Sequence, residues 1–265
     1  MTVIEGFILG LIQGVTEFLP ISSSGHLIIV REFLGIEVAH ALAFDVMLHM
    51  VTLAVIVVYF HRTLGTLFRA IWRMCRGECG DEHERQLIAA VLVGTLPAAA
   101  VGVFGGEQIT AFFRTPLAVA GALVAGSVVF WGAERFARYN TDITIRSGFL
   151  IGLFQVLAFI PGTSRSGITI AGGLFAGLTR EEAARFTFIL AIPVMAGAGF
   201  MQMAGGEMRE LTALGAGAYA GACAAFIFGL LSVHVLLRFL KSHTLNTFVV
   251  YRLVLAAVIV AGAVI

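Results

Sequence analysis

Apolar stretches of about 20 residues recur from one end of this chain to the other, and hydrocarbon leaves such a stretch few ways to fold. With no water to satisfy backbone N–H and C=O groups, an open chain can cross a bilayer only as helices. Six segments have the length and apolarity to span: about 41–60, 87–104, 117–134, 184–204, 213–237 and 247–265. Hydrophobic residues make up 59% of the 265 positions and charged residues only 12%, which excludes an ordinary soluble domain. The start, MTVIEGFILG, lacks the basic segment and cleavage site of a secretory leader and is expected to be retained.

Two further apolar stretches are interrupted by polar turns. The first runs from about 3 to 34 and breaks at Pro20 to Gly25; the second runs from about 148 to 178 and breaks at Pro161 to Gly167. The arm from Gly148 to Ile160 reaches only roughly 20 Å as a helix, too short to cross, so each stretch is expected to be a re-entrant helical hairpin. The two are copies. At a constant offset of 142, Gly6 matches Gly148, Gly10 Gly152, Gln13 Gln155, Ser22 Ser164, Ser24 Ser166, Gly25 Gly167 and Phe44 Phe186.

Basic residues set the expected orientation. Arg62, Arg69, Arg73, Arg76 and Arg85 fall in one connection, Arg135, Arg138 and Arg146 in another, Arg180 and Arg185 in a third, Arg238 and Lys241 in a fourth. Six spans place all four on one side, the cytoplasmic one, with Arg31, Arg114 and Arg209 opposite. Three spans separate the copy beginning near Phe44 from that beginning near Phe186, so the repeats are inverted and their polar tips converge near the midplane. The expected fold is therefore an all-α integral membrane protein of six transmembrane helices and two re-entrant hairpins. It forms a single domain over residues 1–265, built of inverted repeats at about 1–140 and 141–265.

The tips carry the chemistry. Each hairpin presents the start of a second helix, with unpaired N–H groups, capping serines (Ser22 to Ser24 and Ser164 to Ser166) and a glycine that admits close approach. Such a start binds anions, phosphate above all, although serines can also do no more than cap buried helix ends. Arg165 weighs towards the anion: a guanidinium at membrane depth costs at least ~2.5 kcal/mol and suits bidentate phosphate contact, the competing role being an ion pair with Glu17. Glu17 and Gln13 share a helix face, and a carboxylate there is a candidate cation ligand or base. His26, one turn into the helix, is a candidate nucleophile or proton carrier. The copies have diverged: Glu17 corresponds to Phe159, His26 to Ile168 and Ser23 to Arg165. One tip thus carries reactive groups and the other a phosphate clamp. That division suits an enzyme better than a conduit, although a transporter or flippase for a phosphorylated lipid or anion is the alternative on the same scaffold.

Two other groups stand apart. Asp45 and His49, four residues apart, are placed to support the site or to pair at the interface. Cys75, Cys79 and His83 form a C-x3-C-x3-H run at an unusual metal-ligand spacing, for which reduced cytosolic thiols are the simpler account; Cys223 lies in an apolar span as a small apolar residue. The segment from Arg62 to Arg85 is expected to be a solvated loop.

Gln13 and Glu17, then FLPISSSGH, then PGTSRSGIT at 161–169, together resemble the undecaprenyl-diphosphate phosphatase, or bacitracin-resistance, family, and the likeness runs on through FDVMLH and LAIPVM. The resemblance implies hydrolysis of a C55 polyprenyl diphosphate to the monophosphate and inorganic phosphate, recycling the carrier lipid of peptidoglycan synthesis. It implies a divalent cation, Mg or Ca, with Glu17 as the metal ligand. Partners are then the prenyl diphosphate and membrane lipids, with homo-oligomerisation left open and no nucleic acid. Carried over by motif position, Gln13, Glu17, Ser23 and His26 form one half of the site and Ser164, Arg165, Ser166 and Thr169 the other, with the capping Ser22 a further substrate-binding candidate. Gln13 stands where the motif also admits Glu, leaving one fewer carboxylate. The nucleophile is open between Ser23, His26 and water. The implied location is the bacterial inner membrane, with the site towards the outer face.

Overall fold

The computed structural model describes every residue except 39, 79–80, 114, 140–141, 205–209, 211–213 and 265. Among the described residues the chain is all-helical. The first interrupted stretch gives α1 (Val3–Phe18) and α2 (Ser23–Leu34), followed by α3 (Ala41–Tyr59), α4 (His61–Cys75), α5 (Glu82–Phe112) and α6 (Pro116–Phe136). The second gives α7 (Ile145–Val156), a 3₁₀ turn (Leu157–Phe159) and α8 (Arg165–Phe175), then α9 (Arg180–Gln202), α10 (Ala216–Phe239) and α11 (Asn246–Val264). Capping boxes open α1 at Thr2 and α7 at Thr144, again 142 residues apart, so the duplication extends to the helix-start signals.

Among the described residues five helices are long and apolar enough to cross a membrane: α3, α5 over Glu82–Gly106, α6, α9 and α10. The expected sixth, α11, and the arm Ile145–Phe159 are shorter apolar helices. The span expected at 87–104 falls within the membrane-length stretch Glu82–Gly106 of a 31-residue helix. One expectation is corrected. The segment from Arg62 is no loop: residues His61–Cys75 are helical, because their apolar side chains recur at helical spacing between the arginines. Of the residues singled out above, Cys79, Arg114 and Arg209 lie outside the described residues. Cys75 and Cys223 are free and exposed, and no cluster of three metal-ligating side chains occurs among the described residues.

The short arms are seated by glycine. A Cβ on Gly6 or Gly10 of α1 would overlap the backbone of Gly217 or Gly221 of α10, and one on Gly148 or Gly152 of α7 would overlap Ala90 or Gly94 of α5. Lipid gives helices little hydrophobic reason to associate, so close backbone approach along such small-residue stripes supplies the packing. Helix α1 thus packs on α10, α7 on α5, α3 on α9 and α6 on α11.

Both interruptions turn in the same way. Ser22 has φ 73° and ψ 97°, Ser164 φ 71° and ψ 106°. Positive φ on a side-chain-bearing residue is strained by about 1–3 kcal/mol, and here it occurs twice at matched positions. Each serine caps the helix it precedes: Gly25 N–H donates to Ser22 Oγ at 3.3 Å, and Gly167 N–H to Ser164 Oγ at 3.4 Å. The second hairpin is the more enclosed. Residues Ser166 to Leu174 of α8 are all buried, whereas on α2 only Gly25 and Leu27 are.

Candidate active site

A cavity of ≈ 610 Å³ lies between the two tips. Glu17, at the end of α1, projects into it, and its side chain is only 6% exposed. Burying a carboxylate in this way requires partners, and it has several. Oε1 accepts from Arg165 Nη2 at the start of α8; Oε2 accepts from Ser23 Oγ at 2.6 Å and from Gln13 Nε2 at 3.0 Å. His49 Nε2 stands 3.9 Å from the same oxygen. One carboxylate therefore joins an arginine at the start of α8 to a serine at the start of α2.

The cavity wall includes Ser22, Ser23 and Ser24 from one tip and Ser164 and Arg165 from the other, with Gln155 of α7 between them. Leu27, Ile28, Leu42 and Val46 line an apolar side. Gln155 is 2% exposed, and neither its Oε1 nor its Nε2 has a hydrogen-bond partner. Its counterpart Gln13 has one orphan, Oε1, since Nε2 is spent on Glu17. Farther along the wall, Arg31 binds Asp45 with both terminal nitrogens.

The sequence profile of the bacitracin resistance protein BacA matches residues 6–258, nearly the whole chain. The chain belongs to the BacA family. Among its BacA-type relatives, a protein of Alteromonas mediterranea named undecaprenyl-diphosphatase is 40% identical over 98% of this chain and 98% of its own length. Proteins of the same name from Moorella thermoacetica and Elusimicrobium minutum are 38% and 35% identical, the first covering 98% and the second 99% of both chains. With its run of membrane-length helices, this BacA-family chain is a multi-pass membrane protein.

Of the residues picked out from the BacA-like motifs, the fold gathers Gln13, Glu17, Ser22, Ser23, Ser164 and Arg165 at the cavity, Gln13 through Glu17. Ser166 and Thr169 sit behind it: Ser166 Oγ donates to the Leu19 carbonyl at 3.3 Å, and Thr169 Oγ1 to the Arg165 carbonyl at 2.7 Å. His26 is not part of the wall. Its Nδ1 donates to the Ser22 carbonyl at 2.7 Å and its Nε2 accepts from the Tyr251 hydroxyl at 2.7 Å, with the two rings stacked. Both nitrogens of the neutral ring are thereby used.

Sequence reasoning missed Arg252 of α11. It is fully buried, and nearly all its partners are carbonyls: Nη2 donates to Gly162 and Leu123, each at 3.1 Å, and Nη1 reaches Pro20 at 3.5 Å. Nε donates to Ser127 Oγ at 3.1 Å, and the guanidinium lies 4.6 Å from the centre of the Phe130 ring. Pro20 and Gly162 belong to the two interruptions, so one side chain ties both tips together. An arginine inside an apolar run is the signal that could have found it, by the same membrane-depth cost that drew attention to Arg165.

Proposed function

We propose that the chain hydrolyses undecaprenyl diphosphate to undecaprenyl phosphate and inorganic phosphate, regenerating the carrier lipid of cell-wall synthesis. Support comes from the relatives named undecaprenyl-diphosphatase, which the chain matches end to end. The observation that carries the reading is the shared carboxylate: Glu17 engages Ser23 and Arg165 together inside the cavity between the tips.

The diphosphate lies between the starts of α2 and α8, whose free N–H groups and positive dipole ends face it. Its prenyl tail leaves along the apolar side near Leu27, Ile28 and Val46. Arg165 takes the terminal phosphoryl group. Glu17 accepts the Ser23 proton as Oγ attacks the terminal phosphorus; the bond from phosphorus to the bridging oxygen breaks, and undecaprenyl phosphate departs with the electron pair. Water then attacks the phosphoserine, and the Ser23 oxygen leaves with the proton held on Glu17. Ser23 is preferred to His26 because its hydroxyl already donates to Glu17, whereas both imidazole nitrogens are occupied away from the cavity. Phosphoryl transfer depends mainly on positioning and charge stabilisation, which this set supplies.

A divalent cation fits this site when shared with substrate phosphates, since Mg²⁺ is commonly held by one or two carboxylates plus phosphate oxygens. Glu17 and the orphan Oε1 of Gln13 are the residues that would hold it. It would neutralise charge on the phosphates.

The topology follows as part of the proposal: two inverted repeats, at about 1–140 and 141–265, with the hairpins re-entrant and α11 as a sixth span. The exchanged packing supports it, because α1 seats on α10 as α7 seats on α5, while α3 meets α9 and α6 meets α11. The arginines at the α3–α5 and α6–α7 connections support an inner-membrane orientation with those loops in the cytoplasm and the site towards the outer face.

The test is phosphate release from a long-chain prenyl diphosphate by detergent-purified protein with added divalent metal. Glu17→Ala and Arg165→Ala are each expected to lower kcat by about 10²-fold or more. Full turnover in either variant, or substrate movement across vesicles without phosphate release, would overturn the proposal.

A further inference from the structure

Helix α4 has no part in the proposed site, yet its surface is sorted. It follows α3 with no linker, Phe60 serving as C-cap of one and N-cap of the other, so α4 starts where a membrane-length helix ends. At about 100° per residue its positions fall into three sectors. Leu67 and Ala70 are buried against the protein. Next come Ile71, Phe68 and Trp72, large apolar side chains left open, with Phe68 68% and Trp72 56% exposed. Then come Arg62, Arg69 and Arg73, with Arg76 just past the helix end, all within roughly 60° of one another.

A helix with an apolar stripe beside an arginine stripe fits a bilayer surface, with rings among the acyl chains and guanidinium groups at the level of the phosphates. The arginines are not neutralised alike. Arg73 is taken by Glu84 at 2.7 Å, and Glu82 is taken by Arg85. Arg69 bonds only to groups on its own helix, the Gly65 carbonyl and Thr66 Oγ1, and Arg76 lies over the Trp72 ring at 5.1 Å. Arg69 also borders a ≈ 710 Å³ hollow walled by Thr66, Phe68, Trp72, Arg73 and Glu84, the last two paired with each other. The hollow therefore joins two aromatic rings to an edge where Arg69 is the cation without an acidic partner among the described residues, a pattern that fits a phospholipid chain with its headgroup phosphate.

We propose that α4 lies in the membrane plane and binds anionic phospholipids. Phe68, Ile71 and Trp72 enter the acyl region, while Arg62, Arg69 and Arg76 take the phosphodiesters. The charge on the rim selects anionic over zwitterionic lipid.

The chain has two tryptophans, so Trp131→Phe leaves Trp72 as the sole reporter. This variant is reconstituted into vesicles in which either phosphatidylglycerol or phosphatidylcholine carries brominated acyl chains, at equal mole fraction. Brominated phosphatidylglycerol is expected to quench Trp72 at least about two-fold more than brominated phosphatidylcholine. Adding Arg62→Gln, Arg69→Gln and Arg76→Gln is expected to make the two equal while quenching persists. Equal quenching before the arginines are replaced would overturn anionic selection. Absence of quenching from either lipid would overturn the in-plane placement and point to water or a protein partner on this face. Retained phosphate release by the variants verifies that they are folded.

Discussion

Ser23 Oγ donates to Glu17 Oε2 at 2.6 Å while Arg165 holds the other oxygen of the same carboxylate. The arginine orients Glu17, and the second oxygen is shared by the Ser23 hydroxyl and the Gln13 amide. On the proposed mechanism, a base, the group it would deprotonate and a phosphate-binding cation are thus linked through one carboxylate before any substrate arrives.

Ser23→Ala is expected to reduce kcat by about 10³-fold or more, and His26→Asn by less than about 10-fold. Rapid acid quenching of the wild-type reaction should trap a phosphorylated species by intact mass, absent from Ser23→Ala. A severe loss in His26→Asn with full activity in Ser23→Ala would exchange their roles.

Arg252 is expected to act on geometry. Arg252→Met removes every hydrogen bond from α11 to the tips at Pro20 and Gly162, and should lower kcat by about 10-fold or more with little change in KM. Arg252→Lys keeps the charge without the fork and should recover only part of the rate. Steady-state kinetics on the two variants separate the effects.

Gln155 carries two buried, unpartnered polar atoms beside the cavity. Replacing it with Met removes an unmet desolvation cost of about 1–3 kcal/mol, so thermal unfolding in detergent should shift upward. On the proposed mechanism this unpartnered amide binds a phosphate oxygen of the substrate, so the same change should raise KM several-fold. A variant neither more stable nor weaker in binding would show that the amide is merely tolerated.

Gly10→Val places a side chain against the Gly221 backbone, and Gly152→Val does the same at Gly94. Each should destabilise the protein by roughly 1–3 kcal/mol or more. The readout is loss of monodisperse protein on size exclusion and an earlier unfolding transition. Gly65→Val, which meets open space on α4, serves as the control.

Much of this was legible because duplication is visible in letters. Gln13, Ser22 and Gly25 recur as Gln155, Ser164 and Gly167, and the breaks in the helices fall at those serines. The nearness of Glu17 and Arg165 was expected from the convergence of the two tips, whereas their direct ion pair was the competing role for the arginine. The direction in which His26 points was not. Nearness in sequence to Ser23 does not reveal that the ring folds back on the Ser22 carbonyl and meets Tyr251, 225 positions away. Helix α4 was hidden by its arginines, since charge density suggests a loop until the spacing of Leu64, Phe68, Ile71 and Trp72 is set beside them. Arg252 went unseen because most of its hydrogen-bond partners are backbone carbonyls from three separate segments, which no pairing of charged side chains announces.

The glycine seats under the two short arms have a mechanical consequence. Where backbone rests on backbone, no cushion of side chains can repack, so tilting either arm would tear open a continuous van der Waals seam. Rocking motions that shuttle cargo require a joint that slides, and these joints are clasped. On the proposed function the lipid therefore comes sideways to a stationary anvil.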